Sequence, residues 1–296
     1  MSIADSQART LLSATQLSRP AGKVIYWVTF WACILLFAVV FLFPMYWMVT
    51  GGLKSAQEII KVPPTIVPTA PVPANYSTAW QDVHLGRLIF NTAYYALGAL
   101  AFQLVFDVAA AYAFSKLRPV FGNIVLFAML ATLMIPTTVL ILPTYLTAND
   151  LPFLHLSLLN SPLAIWLPSV ANAFNIFLLK RFFDSIPTEL LSAAAIDGAG
   201  PVRVLWSLVL PMSRPILGVV SIFAVVAVWK DFLWPLLVLT QTSAQTVNVG
   251  LNQLSVGIAQ NIFIAALAIA SVPTIVFFVI FQRNIMAGLT IGGVKG

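Results

Sequence analysis

Charged side chains are scarce in this chain: Asp, Glu, Lys and Arg make up 8% of its 296 residues, where a soluble globular domain carries roughly a quarter. That scarcity excludes an ordinary water-facing surface, because a chain of this length cannot hide so much apolar surface in one core. Cysteine occurs once, at Cys33 inside the first apolar run, so neither an internal disulfide nor a cysteine-based metal site is available. The two histidines, His84 and His155, have no Cys or His cluster around them at metal-ligand spacing. No GxxxxGK[ST] phosphate loop exists, and the GGLKS at 51–55 lacks the required Gly-Lys-Ser order, so nucleotide is expected on another chain. Basic residues interleaved with aromatics, the footprint of a nucleic-acid surface, are also missing.

What is present is apolar length. Hydrophobic residues make up 60% of the chain, and its mean hydropathy is +0.96. Intervals free of Asp, Glu, Lys and Arg run over 24–53, 88–106, 119–149, 151–179, 215–229 and 232–282. A spanning helix needs about 20 such residues, and the polar, glycine-bearing stretch 241–260 divides the last interval. The expected fold is therefore an all-α integral membrane protein of about six spans, at roughly 25–50, 88–114, 122–146, 160–180, 214–240 and 261–282. Residues 1–23 carry Arg9, Arg19 and Lys23 before an apolar stretch, but with no evident A-x-A-like site they read as a tail before an uncleaved span.

An even number of spans puts both termini on one side. With that side cytoplasmic, the inner segments hold Arg9, Arg19, Lys23, Lys116, Arg118, Lys180, Arg181, Arg203, Arg214, Arg283 and Lys295, and the outer ones only Lys54, Lys61 and Arg87. This is the direction of the positive-inside bias, so the formal charge of +6 is a feature of topology. The outer segment 54–87 has five prolines between Pro63 and Pro73, which impose extended backbone. It reads as a rigid spacer or as a contact for an extracytoplasmic partner.

Residues 181–213 read as two short helices joined by a tight turn. Ser185 is a cap candidate, Pro187 sits early, Glu189 suits the positive end of a helix dipole, and Gly198 can terminate in the left-handed region. The first helix is expected from about Pro187 to Asp197 and a second from Pro201 toward Pro211. Ala193, Ala194 and Ala195 give the first helix a small-residue surface, rimmed by Glu189, Asp197 and Arg203, shaped for docking into another protein.

The run ELLSAAAIDGAG (189–200) followed by LVLPMSRP (208–215) resembles the EAA loop of ABC importer permeases. Similar stretches recur at 109–119, 134–146, 177–187, 228–240 and 288–296, and together they resemble the carbohydrate-uptake branch typified by the smaller maltose-transporter permease. The resemblance implies a non-catalytic, multi-pass permease of the cell's inner (cytoplasmic) membrane. It implies a second permease as heterodimer partner, two ATPase subunits that carry ATP and Mg, an extracytoplasmic solute-binding protein and a carbohydrate cargo. By position it assigns ATPase coupling to Glu189, Ser192, Ala193, Ala194, Asp197, Gly198 and Ala199; Ser192 stands where relatives place a Glu. It also gives the 283–296 tail, through Gly292, Gly293, Lys295 and Gly296, a contact with the ATPase; without the resemblance that stretch is a frayed terminus.

Ionisable residues inside spans line an interior path or pair with each other. Asp107, Lys230 and Asp231 are such residues, and with Trp229 and Trp234 they are the candidate translocation path. Each has a plainer reading: Asp107 as a packing group, and the WKDFLWP stretch as an aromatic belt near the outer headgroups. Pro136, Pro143, Pro211, Pro235 and Pro273 are candidate bends. An ion-coupled secondary transporter acting alone is the competing class, but no internal repeat supports it. A membrane enzyme would need clustered catalytic polar residues, and none stands out.

Overall fold

The computed structural model describes the backbone of residues 20–293 and the side chains of residues 22–282. Among the described residues every regular element is helical: α1 (Pro20–Gly52), α2 (Ala56–Ile59), α3 (Ala74–Asp82), α4 (Leu85–Tyr112), α5 (Gly122–Thr132), α6 (Thr137–Asn149), α7 (Leu163–Ser169), α8 (Ala173–Asp184), α9 (Thr188–Ile196), α10 (Pro201–Met212), α11 (Arg214–Lys230), α12 (Leu233–Val238), α13 (Val247–Leu254) and α14 (Gln260–Gly293). A π turn at Ala113–Leu117 extends α4.

Three stretches are long and apolar enough to cross a bilayer as single helices, Gly22–Gly52, Leu85–Leu117 and Gln260–Gln282. Three bent pairs are long and apolar enough only when joined, α5 with α6 at 106°, α7 with α8 at 49°, and α10 with α11 at 84°, each a broken span or a re-entrant loop. The structure thus supports three to six crossings, six if each bent pair is one span, and the expected spans 122–146, 160–180 and 214–240 are not single rods. The α5–α6 bend falls at Pro136, whose ring and missing N–H cannot continue a helix. The 214–240 expectation fails at Asp231, where α11 ends and a separate α12 begins. In the other direction, α14 runs on through Gly293, so residues 283–293 are helix and not a loose tail.

Helix α4 is the axis of the bundle, packed by α7, α8 and α11, while α14 carries α1 and α3 on its outer side. Three apolar clusters fill the interior. One joins Val108, Ala111, Leu179, Phe183, Val209 and Val220; a second joins Tyr95, Ala99, Ala164, Ile165, Val238 and Leu239; a third joins Leu85, Leu88, Val247, Leu251 and Ala265. Gly98 permits the α4–α7 contact, because a Cβ there would overlap the Trp166 indole. Along α1 the apolar side chains face outward instead, with Leu35 66% and Phe41 69% exposed. Such a surface is stable against lipid, where an internally bonded helix leaves no backbone group unpaired.

The 54–87 segment is more than an extended spacer. It holds α2 and α3 and folds back on the end of α1: Val72 N donates to Leu53 O at 2.8 Å, and the Asn75 amide donates to Gly52 O at 2.9 Å and Lys54 O at 2.8 Å. Glu58 Oε1 accepts from Thr65 Oγ1 at 2.8 Å and Thr69 N at 2.9 Å. The buried Lys54 ammonium donates to Thr65 O and lies 4.3 Å from the Trp47 ring centroid. The prolines do prevent helix over 60–73, but a polar knot, not stiffness alone, holds the loop.

Candidate functional site

The WKDFLWP stretch is a helix break. Pro235 has no N–H, and its ring would collide with the carbonyl four residues back, which belongs to Asp231. The chain leaves helical geometry there, with Asp231 at φ −67° and ψ 133°, and resumes as α12 after Phe232. Breaking a helix frees carbonyls, which cost free energy in a dry interior unless they are bonded. The Asn248 amide of α13 meets this need, donating to Trp229 O at 3.0 Å and to Asp231 O at 3.4 Å. The Trp234 indole is fixed in turn by a 2.9 Å bond from Nε1 to Ala164 O.

The break turns neighbouring side chains to different places. Asp231 and Trp234 open into a cavity of about 330 Å³ shared with Gln103, Thr137, Thr144 and Asn172. Trp229 and Lys230 line a different space of about 590 Å³ between α4, α11 and α14, whose other walls include Leu97, Val226, Pro273 and Phe277. The candidate path residues are therefore not one constellation: Asp231 and Trp234 share a cavity with several polar groups on a mainly apolar wall, whereas Trp229 and Lys230 face an almost wholly apolar one.

Asp107 lies behind the Asp231 cavity and is fully buried. Its Oδ1 accepts the Asn172 N–H at 3.0 Å, and Asn172 Oδ1 in turn caps α8 by accepting Asn175 N at 3.1 Å. The Asn175 amide reaches Gln103 Oε1 at 3.2 Å. Asp107 thus tethers the start of α8 to α4. Sequence reasoning missed Gln103, Thr137, Thr144, Asn172 and Asn248. Gln103 carries a signal, being one of two amides, with Asn91, in the charge-free run 88–106, but Asn248 lies in the polar stretch 241–260, where nothing sets it apart.

At the other candidate site, α9 ends in a Schellman motif. Gly198 has φ +78°, Ala199 N donates to Ala194 O at 2.9 Å, and Gly198 N donates to Ala195 O at 3.0 Å. Ser185 does not cap this helix; its hydroxyl bonds back to Phe182 O at 2.6 Å, and Pro187 holds the N-cap position. No residue of α9 is buried. Leu191, Ala194 and Ala199 pack on the apolar cluster beneath, while Glu189, Ser192, Ala193, Ala195 and Asp197 are exposed and Ile196 is 86% exposed. The small-residue surface is therefore split: Ala193 and Ala195 face outward, and Ala194 is half-buried against the bundle.

Ser192 Oγ donates to Thr188 O at 3.1 Å, so it occupies itself with its own helix. The loop is anchored to the bundle beside it. Asp184 accepts from Ser115 Oγ and from Lys180 Nζ, both at 2.7 Å, Lys116 Nζ donates to Ile186 O at 3.2 Å, and Tyr112 OH donates to Pro201 O at 3.0 Å. Of the C-terminal residues, Gly292 and Gly293 complete the backbone of α14, while Lys295 and Gly296 lie outside the described residues.

Residues 104–290 match the family described as binding-protein-dependent transport system inner membrane component. Among curated proteins, the sulfoquinovosyl glycerol transport system permease protein of Agrobacterium fabrum is 33% identical over 259 residues, which cover 86% of this chain and 89% of the relative. The sn-glycerol-3-phosphate transport system permease protein of Rhizobium meliloti is 30% identical over 262 residues, covering 85% and 91%. The fold resembles a chain of a bacterial ABC transporter involved in import of the acidic polysaccharide alginate, with TM-score 0.79 and 20% identity over 93% of this chain and 99% of that one.

Proposed function

Because the chain belongs to the family of binding-protein-dependent transport system inner membrane components, we infer that it forms half of a solute path through the cell's inner membrane, driven from outside its own sequence by a separate ATPase. It is a permease subunit of an ABC importer. It performs no bond chemistry of its own in this reading; ATP and Mg are bound by the partner ATPases. A second permease completes the path, and a solute-binding protein delivers a sugar or related polyol from the outer side. The basic residues concentrated in 1–23, 116–118, 180–214 and 283–295 support a cytoplasmic placement of both termini and of α9.

One observation carries the coupling assignment: α9 is a capped helix with no buried residue, standing on a chain whose other exposed surface is largely apolar. A short helix has little stability alone, so holding it out from the bundle by Leu191, Ala194 and Ala199 favours a partner that receives it. Closure of the ATPase pair pushes on Glu189, Ala193, Asp197 and Gly198, and the Asp184 and Tyr112 bonds carry that push to α8 and α4. Gly292, Gly293, Lys295 and Gly296 supply a second contact with the ATPase.

Cross-linking tests this directly. A photoreactive residue at Ala193 or Ile196 is expected to capture the ATPase in an assembled, working complex, and a position on the lipid face of α1 such as Leu35 is not. Capture of no ATPase from either α9 position, in a preparation that still transports, sinks the coupling assignment.

A further inference from the structure

The cavity at the helix break has a mainly apolar wall set with a few polar groups, and it carries one formal charge among its described lining residues, a negative one. Asp231 supplies it. Lys230, the next residue in the chain, lines the separate apolar space, and its ammonium reaches Asp231 only as a weak coulombic neighbour. We propose that Asp231 selects for hydroxyl-rich solutes without net negative charge, neutral sugars and polyols, and against phosphorylated, sulfonated or carboxylated ones. This deepens the permease reading above and rests on it.

The lining suits hydroxyl groups. A hydroxyl both donates and accepts, and the cavity offers both functions. Asp231 Oδ1 takes a long 3.5 Å bond from Trp234 N, and the Phe232 and Leu233 N–H groups also lie against the carboxylate; its remaining lone pairs are open to hydroxyl donors, to which an ionised acceptor bonds strongly. Gln103 and Asn172 have their side-chain oxygens occupied by Asn175. Their amide nitrogens have no partner among the described residues and serve as donors to hydroxyl oxygens. Thr144 already donates to Leu140 O at 2.7 Å, which leaves its oxygen as an acceptor. The tethered Trp234 indole adds a flat apolar wall for the C–H face of a sugar ring. The volume of about 330 Å³ lies at the small end of ligand pockets, roughly 300–1,000 Å³.

An anionic solute meets the opposite balance. A second negative charge about 5 Å from Asp231, at an effective dielectric near 20, lowers affinity by roughly two orders of magnitude. The named cargoes of the two permease relatives, sn-glycerol-3-phosphate and sulfoquinovosyl glycerol, bear such charges. This cavity therefore points to a different cargo class from theirs.

The test uses the complete complex in proteoliposomes: both permeases, the ATPases and the cognate solute-binding protein. The metabolite that co-purifies with the solute-binding protein is identified by mass spectrometry, and its uptake is measured beside two matched pairs, glycerol with sn-glycerol 3-phosphate and trehalose with trehalose 6-phosphate. The co-purifying metabolite is expected to be neutral at pH 7, and neither phosphorylated probe is expected to enter. With the solute-binding protein left out, phosphorylated and neutral members of a pair are compared for binding to the complex. Wild type is expected to disfavour the anion by roughly 100-fold, and Asp231→Asn, which keeps the oxygen that accepts from Trp234 N, to reduce that ratio at least tenfold. An anionic co-purifying metabolite, entry of either phosphate, or an unchanged ratio in Asp231→Asn each overturns the proposal. Failure of the permease reading itself shows differently, as transport by this chain alone without any ATPase.

Discussion

The Asn248 side-chain amide of α13 bridges the two carbonyls, Trp229 O and Asp231 O, that are freed where α11 stops. One side chain thereby holds a broken helix open at the wall of the cavity. Replacing it with Ala leaves both carbonyls short of a partner in a water-poor interior, at a cost of about 1–3 kcal/mol. Asn248→Ala is expected to lower the thermal midpoint of the purified complex and to reduce solute uptake. Asn248→Gln, which keeps the amide on a longer stem, is expected to recover part of both.

Gly198 has open space around its Cα, so an added methyl group meets no clash. Any penalty there is backbone alone: at φ +78° an L-residue costs roughly 1–2 kcal/mol relative to glycine. Gly198→Ala is expected to leave the spans folded while loosening the end of α9. Assembled complexes should show weaker stimulation of ATP hydrolysis by cargo, and Gly198→Asn, a residue more tolerant of the left-handed region, should lose less. Equal stimulation in wild type and Gly198→Ala would show that the Schellman end of α9 has no part in coupling.

Glu58 offers a pH-dependent reading of the 54–87 segment. The backbone N–H of Thr69, foremost, and the hydroxyls of Thr65 and Thr69 and the nearby Lys54 ammonium hold its carboxyl below its ordinary 4.5 against an opposing effect of burial. A carboxylate depressed in the folded state contributes stability that is present above its unfolded value and is lost as pH falls through the folded one. Limited proteolysis over 60–73 is therefore expected to be slow at pH 7 and to accelerate below about pH 4. Glu58→Gln should be cleaved faster than wild type at pH 7, and the acid-side acceleration should shrink. A wild-type cleavage rate that does not change with acid would remove Glu58 as the pin.

Asp107 is expected to act through Asn172 and not through the solute. Asp107→Asn keeps an oxygen for the Asn172 N–H and removes a buried carboxylate whose Oδ2 has no partner among the described residues. Stability should be unchanged or raised, and uptake retained. Asp107→Leu leaves that N–H unpaired and is expected to cost about 1–3 kcal/mol in unfolding free energy. Lost uptake in an assembled, ATP-hydrolysing Asp107→Asn complex would mean that the charge itself serves transport.

Much of the docking loop was legible in the residues, because local rules govern a short exposed helix. Pro187, Glu189 and Gly198 bracket α9 within one residue of its observed ends, and nothing from elsewhere in the fold competes with that punctuation. The apolar segments were legible, but their shape was not. Pro136 and Pro235 sit at breaks, whereas Pro143 and Pro273 lie inside continuous helices. All four look alike in a charge-free run, since a helix bends or breaks according to whether neighbours satisfy the freed carbonyls. Ala194 shows the same limit at the scale of one residue: within three alanines nothing marks the one that packs against the bundle.

By itself the sequence determined that this chain lives in a bilayer and that one segment forms a short, separately punctuated helix. Charge scarcity and apolar length settle the first, and capping chemistry settles the second, through free energies that belong to each segment alone. Only the tertiary structure decided that Lys230 and Asp231, adjacent in the chain, open into different spaces, and that Gln103, Asn172 and Trp234 line one cavity with Asp231. In lipid an apolar side chain is equally stable facing acyl chains or a neighbouring helix. Hydrophobicity therefore cannot say which face turns inward, and packing against α4, α7 and α13 makes that choice.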